Sequence, residues 1–283
     1  MDAASVPETF VCATGDARYP KRLADLARPP GQLWVTGRLP AQDERVVAMV
    51  GSRGATAAGY EQAQEIAVAL GRAGWSVVSG GALGIDAASH LGALQAQAPT
   101  YAVLGCGVDV IYPDRHTELF TQVARAGGLI SEYPPGTQPH PGQFPVRNRL
   151  VAALAQAVVV VDARTRSGAL ITAQRARELR RPVMAVPGSR GTDWLIGSGA
   201  AQPVADKDQV LARLAGQAAP AAHVPHGLQP VLDALQSGPE SAAGIARRIG
   251  QSLSDVMSAL SEAELTGLVQ RIAGGRYEVP RAK

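Results

Sequence analysis

The sequence is poor in several residue types, and each shortage removes a class of function. Phe, Trp and Tyr together make up 4% of the 283 residues, too few for an extended base-stacking platform. Cysteine occurs only as Cys12 and Cys106, far apart and in unlike contexts. That gives no disulfide framework and fits a reducing cytoplasm. No apolar run is long enough to cross a membrane, and no basic stretch followed by an apolar one opens the chain as a leader. His90, His116, His140, His223 and His226 show no metal-ligand spacing, so neither a metal nor another cofactor is expected. The formal charge is only +3, so partner choice rests on where charge is placed. The isoelectric point near 9.1 leans toward an anionic partner.

What is present describes a globular chain. Hydrophobic residues are 46% and charged residues 18%. The length allows one large domain and one small one. The chain is organised around a strand, 77–79, that runs into Gly80-Gly81-Ala82-Leu83-Gly84 and then a helix. Such a turn is a common tight connection in α/β proteins. It is also a ready phosphate cradle, because glycine lets backbone N–H groups come close to an anion and the helix adds its positive end. A second strand, 46–50, ends in Gly51-Ser52-Arg53-Gly54. Two such turns on successive parallel strands would lie together outside the carboxyl ends of the sheet, where open α/β sheets bind ligands.

Strands and helices alternate along the chain, as right-handed βαβ units do. Residues 1–18 carry little pattern and read as an extension. Residues 19–215 read as one α/β domain. A short helix is expected at 21–27 and an edge strand at 33–37. Strands follow at 75–78, 100–104, 128–131, 157–161 and 182–186. Cys106 follows the second of these, and it reads as a small buried residue rather than a nucleophile, for want of a paired histidine. The proline-rich loop 133–143 leads into Phe144-Pro145-Val146-Arg147-Asn148-Arg149. There an aromatic beside guanidinium groups could stack a base while the cations hold phosphates. The alternative is an arginine pair bridging on a solvated face. Asp162 through Ser167-Gly168 is another polar, basic turn before a helix, and the stretch from Pro187 through Gly199 reads as a loop. Asp86 and Glu132 are expected to orient loops by accepting N–H hydrogen bonds.

Residues 216–227 read as a linker rich in Ala, Pro and His. Residues 228–283 show three helices and a hairpin around Gly274-Gly275, the pattern of a winged helix. Its third helix carries Asp255, Glu262 and Glu264 and neither Lys nor Arg, a poor composition for reading a duplex groove. Arg271, Arg276, Arg281 and Lys283 make the wing basic instead. Protein contact and duplex DNA both stay open for this module.

Gly51-Ser52-Arg53, Ser79-Gly80-Gly81, Phe144-Pro145-Val146-Arg147-Asn148-Arg149, Ser167-Gly168-Ala169 and Val186-Pro187-Gly188 occur in this order. Taken together the set resembles the DprA (Smf) family of DNA-processing proteins, over about residues 19–201 plus the terminal winged helix. The resemblance implies an extended Rossmann-like parallel sheet that binds single-stranded DNA without sequence preference. It also implies a homodimer that protects incoming DNA and helps load the RecA recombinase in natural transformation. By position, Arg53 would hold a phosphate. Gly51, Ser52, Ser79, Gly80, Gly81, Ser167 and Gly168 would supply donors. Phe144 would meet a base near Arg147 and Asn148. The sequence departs from the resemblance in two places. The helical domain that often precedes the sheet is not evident, and His140-Pro141-Gly142-Gln143 stands where the family tends to have a lysine.

An enzyme is the competing expectation. Pro187-Gly188-Ser189-Arg190-Gly191-Thr192 is similar to the phosphate turn of nucleoside-monophosphate phosphoribohydrolases, but the glutamates that act on the glycosidic bond are missing after it. A dinucleotide-dependent oxidoreductase lacks its glycine fingerprint. No catalytic residue is therefore expected.

Overall fold

Runs of apolar residues without polar alternation need cover on both faces, and here they form the middle of a nine-stranded sheet. The computed structural model describes residues 7–215, 229–235, 238–265, 269–272 and 274–279. The chain divides into two units, Met1–Gln217 and Ala218–Lys283. In the first, the order is β1 (Thr9–Ala13), β2 (Gln32–Gly37), β3 (Val46–Gly51), α1 (Ala57–Arg72), β4 (Ser76–Ser79), α2 (Ile85–Gln95), β5 (Thr100–Leu104), α3 (Thr117–Ala126) and β6 (Gly128–Ser131). Then come α4 (Gln143–Leu154), β7 (Ala157–Asp162), α5 (Gly168–Glu178), β8 (Val183–Ala185), α6 (Arg190–Gly197), β9 (Gln202–Pro203) and α7 (Lys207–Ala215).

Strand β3 shows the two-sided burial directly. Val46, Ala48 and Val50 join one core with Leu150, Val158 and Ala173, while Val47 and Met49 join the other with Ile66, Leu70 and Val159. Each fully buried Val or Leu contributes about 1.5–3 kcal/mol. Helix α1 starts at Thr56, whose hydroxyl accepts the Gly59 N–H at 3.1 Å.

The strand order is β1-β2-β6-β5-β4-β3-β7-β8-β9. Pairing is parallel from β6 through β9. From β3 the chain winds outward through β4, β5 and β6, and from β7 it winds the other way. The reversal between β3 and β7 opens a crevice beyond their carboxyl ends.

Four elements differ from the sequence reading. Residues 1–18 are not all unpatterned, because β1 pairs antiparallel with β2 from Thr9 opposite Thr36 to Ala13 opposite Gln32. Consequently β2 is not an edge strand, and it pairs antiparallel with β6 on its other side. The stretch after β8 is not loop throughout. It contains α6, started by a reciprocal cap between Ser189 and Thr192. The segment 21–27 is a 3-10 turn at Lys21–Asp25.

The second unit contains α8 (Gln229–Leu235), β10 (Glu240–Ser241), α9 (Ala242–Ile249), α10 (Leu253–Leu265), β11 (Gln270–Ile272) and β12 (Arg276–Glu278). Its small sheet has the order β10-β12-β11, of which β10 is not evident in the sequence. Val231, Leu235, Ile245, Val256, Leu260 and Tyr277 form its core, and these elements make a winged helix. The linker reading at 216–227 and the cations Arg281 and Lys283 lie outside the described residues.

Candidate nucleic-acid interface

The crevice is a cavity of about 610 Å³ lined by the turns after β3, β4 and β7 and by the start of α4. The three turns are laced together. The Ser52 N–H donates to the Asp162 carbonyl at 2.8 Å, and the Ile85 N–H donates to the Ser52 carbonyl at 3.2 Å. A Cβ on Gly84, whose φ is +78°, would sit 2.2 Å from the Ser52 carbonyl oxygen. One on Gly51 would meet Ile85 at 2.5 Å. These glycines let the turns touch each other. The Ser52 N–H is thereby spent inside the protein, which corrects its expected role as a backbone donor to phosphate.

That lacing turns Arg53 outward. Its guanidinium carbon lies 5.3 Å from the centroid of the Phe144 ring, and Phe144 in turn lies 5.5 Å from the Tyr112 ring. A cation over an aromatic face keeps its outer N–H groups free for an anion. Tyr112 is 41% exposed. The sequence reading missed it as a site residue, because it stands at the opening of the next helix.

Arg147 has a different part from the one expected. It is 4% exposed, so it is no surface ligand. Its Nη1 donates to the carbonyls of Gly80 and Val103, and its Nε donates to Asn148 Oδ1 at 3.2 Å. Asn148 Nδ2 passes the link on to the Gly168 carbonyl at 3.1 Å. Arg147 and Asn148 thus tie β5, the Gly80 turn and the start of α5 into one frame. A Cβ on Gly80 would lie 2.6 Å from Arg147 Nη2 and 2.7 Å from Asp86 Oδ2, so glycine is needed there to admit the protein's own cation. Burial lowers the Arg147 pKa to about 10, with the Asp86 carboxylate opposing, so the side chain stays charged at neutral pH. Burial likewise raises the Asp86 carboxyl, while Arg147 and the Ala82 N–H, at 3.2 Å from Oδ2, pull it down. Asp86 therefore orients its loop as expected. Glu132 does not: its described partner is the guanidinium of Arg149. Arg149 is thereby the bridging arginine, and the pair 147 and 149 does not clamp phosphates.

Ser79 is also reassigned. Its hydroxyl is buried and donates to the Met49 carbonyl at 2.6 Å. Gly81 is held from beneath, with its carbonyl 3.0 Å from His116 Nδ1. Gly81 borders a smaller adjoining hollow with Phe144 and Arg53. Ser167 Oγ has no hydrogen-bond partner, and its backbone precedes the uncapped start of α5 at Gly168. Arg164 and Arg166 in the same turn are exposed and line the cavity, and neither was singled out in the sequence. Cys106 is buried, its Sγ donates to the Val110 carbonyl at 3.3 Å and burial pushes its thiol pKa up, which is not a nucleophile's setting. Among the described residues no His, Cys, Asp and Glu cluster could hold a metal. No described helix is long and apolar enough to cross a membrane.

Arg53, Arg147, Arg164 and Arg166 thus surround a crevice whose lining carries Asp86 as its carboxylate. The Pro187–Thr192 turn is used as the α6 cap: Ser189 Oγ accepts the Ala163 N–H at 2.9 Å and Asp193 accepts the Gly188 N–H at 2.9 Å.

Known proteins resemble both units. The family model of DNA recombination-mediator protein A matches residues 10–215, and that of the DprA winged helix domain matches residues 215–275. Protein Smf of Synechocystis is 34% identical over 93% of this chain and 78% of its own. A putative DNA processing protein DprA of Mycobacterium tuberculosis is 49% identical over 57% of this chain and 43% of its own. The crystal structure of DprA from Streptococcus pneumoniae superposes with a TM-score of 0.67 at 37% identity, covering 74% of both chains. DNA processing protein A of Helicobacter pylori, a structure described as showing its single-stranded DNA binding mode, gives 0.67 at 28% identity over 74% of this chain and 97% of that one. With matching sequence motifs, sheet and tail domain, the chain belongs to the DprA (Smf) family of DNA-processing proteins.

Proposed function

We propose that this chain binds single-stranded DNA without sequence preference in the crevice between β3 and β7. The observation that carries the reading is the set of exposed arginines, Arg53, Arg164 and Arg166, around a glycine-laced hollow with the Tyr112–Phe144 pair at one end. Cations there would hold phosphates, which carry no base identity. The aromatic pair would take a base by its face, which every base has. The single-stranded DNA binding described for the Helicobacter pylori relative supports the same reading. Family membership further supports a homodimer that protects incoming DNA and passes it to RecA in natural transformation, within the cytoplasm and without catalysis of its own. The winged helix, with Arg271 and Arg276 exposed on its wing strands, would make an auxiliary contact with duplex DNA or protein.

Fluorescence anisotropy of labelled dT oligomers and a matched duplex, across a salt series, tests this. Tight single-strand binding is expected, with log K falling by about 0.7 per phosphate contact for each tenfold rise in salt. Binding of duplex alone would move the function to the winged helix. Release of a free base from a nucleoside monophosphate would replace the reading with an enzyme.

A further inference from the structure

The Tyr112–Phe144 pair is assembled from two segments that are well separated in the chain. Tyr112 stands in the turn region after β5, and Phe144 stands in the first turn of α4, where the proline-rich loop ends. Residues 132–142 of that loop contain neither helix nor strand, so the loop is held by its attachments to the turn after β5. Three attachments are present. At the entry the Tyr133 N–H donates to Ser131 Oγ at 3.0 Å, and that hydroxyl donates to the Cys106 carbonyl at 2.6 Å. In the middle the Gly107 N–H donates to the Thr137 carbonyl at 2.9 Å, and the Gly136 N–H is shared by both carboxylate oxygens of Asp109, at 2.8 and 2.9 Å. At the exit the Phe144 ring lies against Gly105, where a Cβ would come 2.9 Å from its Cδ1.

Asp109 is the unexpected member of this set. It is exposed, it precedes Tyr112 by three residues, and no cation pairs with it among the described residues. A carboxylate near a phosphate site works against the ligand by charge. Both its oxygens are instead turned to one backbone N–H, a charge-assisted hydrogen bond and stronger than a neutral one. Gly136 meets it with a φ of +80°, a conformation that suits glycine.

We propose that Asp109 is a positioning residue for base stacking: it pins the middle of the loop to the β5 turn and so keeps Phe144 paired with Tyr112 beside Arg53. It touches no nucleotide itself. A loop fixed beforehand need not be ordered when DNA binds, and that saving appears as affinity. The inference rests on the crevice being a single-stranded DNA site, and deepens it by separating what holds the aromatic pair from what holds phosphate.

The test uses the full chain with labelled dT oligomers and abasic strands of the same length, which keep the phosphates and lack the bases. The wild type is expected to bind dT at least about tenfold more tightly, the share of one stacked base. Asp109→Ala is expected to weaken dT binding about tenfold, with an unchanged salt slope and no loss on the abasic strand. Asp109→Asn keeps an oxygen for the Gly136 N–H and is expected to restore most of the dT affinity, although it lacks the charge. Gly136→Ala strains the other half of the attachment and is expected to lose dT affinity selectively, as Asp109→Ala does; it serves in place of Asp109→Ala should that variant not fold. Three results would overturn the proposal alone: an equal loss on dT and abasic strands, unchanged or tighter dT binding by Asp109→Ala, or a loss in Asp109→Asn as large as in Asp109→Ala. Equal wild-type affinity for dT and abasic strands would overturn base stacking altogether. Absence of dT binding, or full binding by Arg53→Ala, would overturn the crevice reading beneath it as well.

Discussion

Two glycine-rich turns stand side by side at the carboxyl edge of the sheet, one after β3 and one after β4. Both read as phosphate cradles in the sequence, yet their interiors are opposite. The turn after β3 is packed against its neighbours through Gly51 and directs Arg53 into solvent over Phe144. The turn after β4 is filled from within: the space its Gly80 leaves is taken by Arg147 and Asp86. Glycine reports that something comes close. It does not report whether that something is a ligand or the protein's own side chain, and only the direction of approach tells them apart.

The comparison breaks most visibly at Arg147. Arg147→Ala leaves the buried carbonyls of Gly80 and Val103 without their donor and removes the nearby charge that favours the Asp86 carboxylate. Leaving buried acceptors unpaired costs about 1–3 kcal/mol each, and at about 2–4 °C per kcal/mol the calorimetric Tm is expected to fall by about 10 °C. An unchanged Tm would show that this guanidinium belongs outside, like that of Arg53. A second expected effect comes from behind the same turn. His90 on α2 is held neutral, its pKa lowered to about 3 by burial first and by His116 and Arg147 after it. Unfolded, it titrates near 6.5. The unfolded chain therefore takes up the proton first, so this contribution is intact above about pH 6.5 and is lost as pH falls toward 3. The loss is about 1.4 kcal/mol per pH unit, near 2 kcal/mol at pH 5. Melts of the wild type against His90→Gln between pH 7 and 5 should show a shallower decline in the variant.

At the outward turn the expected effects move from stability to binding. Arg53→Ala should change stability by less than about 0.5 kcal/mol, as surface substitutions do. It should weaken dT binding about tenfold and reduce the salt slope by about 0.7. It should also weaken dT and dA oligomers alike, because phosphates carry no base identity; anisotropy on both oligomers checks this. The smallest effect is at Arg166, whose φ is +63°. Arg166→Gly relieves that backbone and is expected to stabilise by about 0.5 kcal/mol while weakening DNA binding. A denaturation midpoint that falls instead would mean the arginine makes a contact worth more than its strain.

Much of the sheet was legible because its central strands are continuous apolar runs punctuated by glycine. Strand β1 was not, since it is five residues with one buried side chain, Cys12, and it is held by pairing with β2 rather than by an apolar pattern. Helix α6 was hidden by Pro187, Gly188, Gly197 and Gly199 around it. The spacing of Ser189 and Thr192 was the available signal, three residues apart as in a helix-starting cap. At the site, Arg53 and Phe144 were legible from their motifs. The inward course of Arg147 was not, because its partners Gly80 and Val103 lie far off in the chain. Arg147 and Arg149, two apart on one helix, necessarily point to different sides, and the sequence alone cannot assign which side is the interior. Ser79 failed for the same reason: its hydroxyl reaches the Met49 carbonyl on the neighbouring strand.

The N-terminal strand has one more consequence. By pairing with β2, it covers a row of backbone N–H and C=O groups that would otherwise line the rim of the large sheet. Its own outer side bears Val11, which is 47% exposed. A chain begun at Tyr19 would keep every residue of the crevice, yet it would present the β2 rim as a template for another copy's strand. Its soluble yield, rather than its DNA affinity, is where the loss of those few residues would be felt.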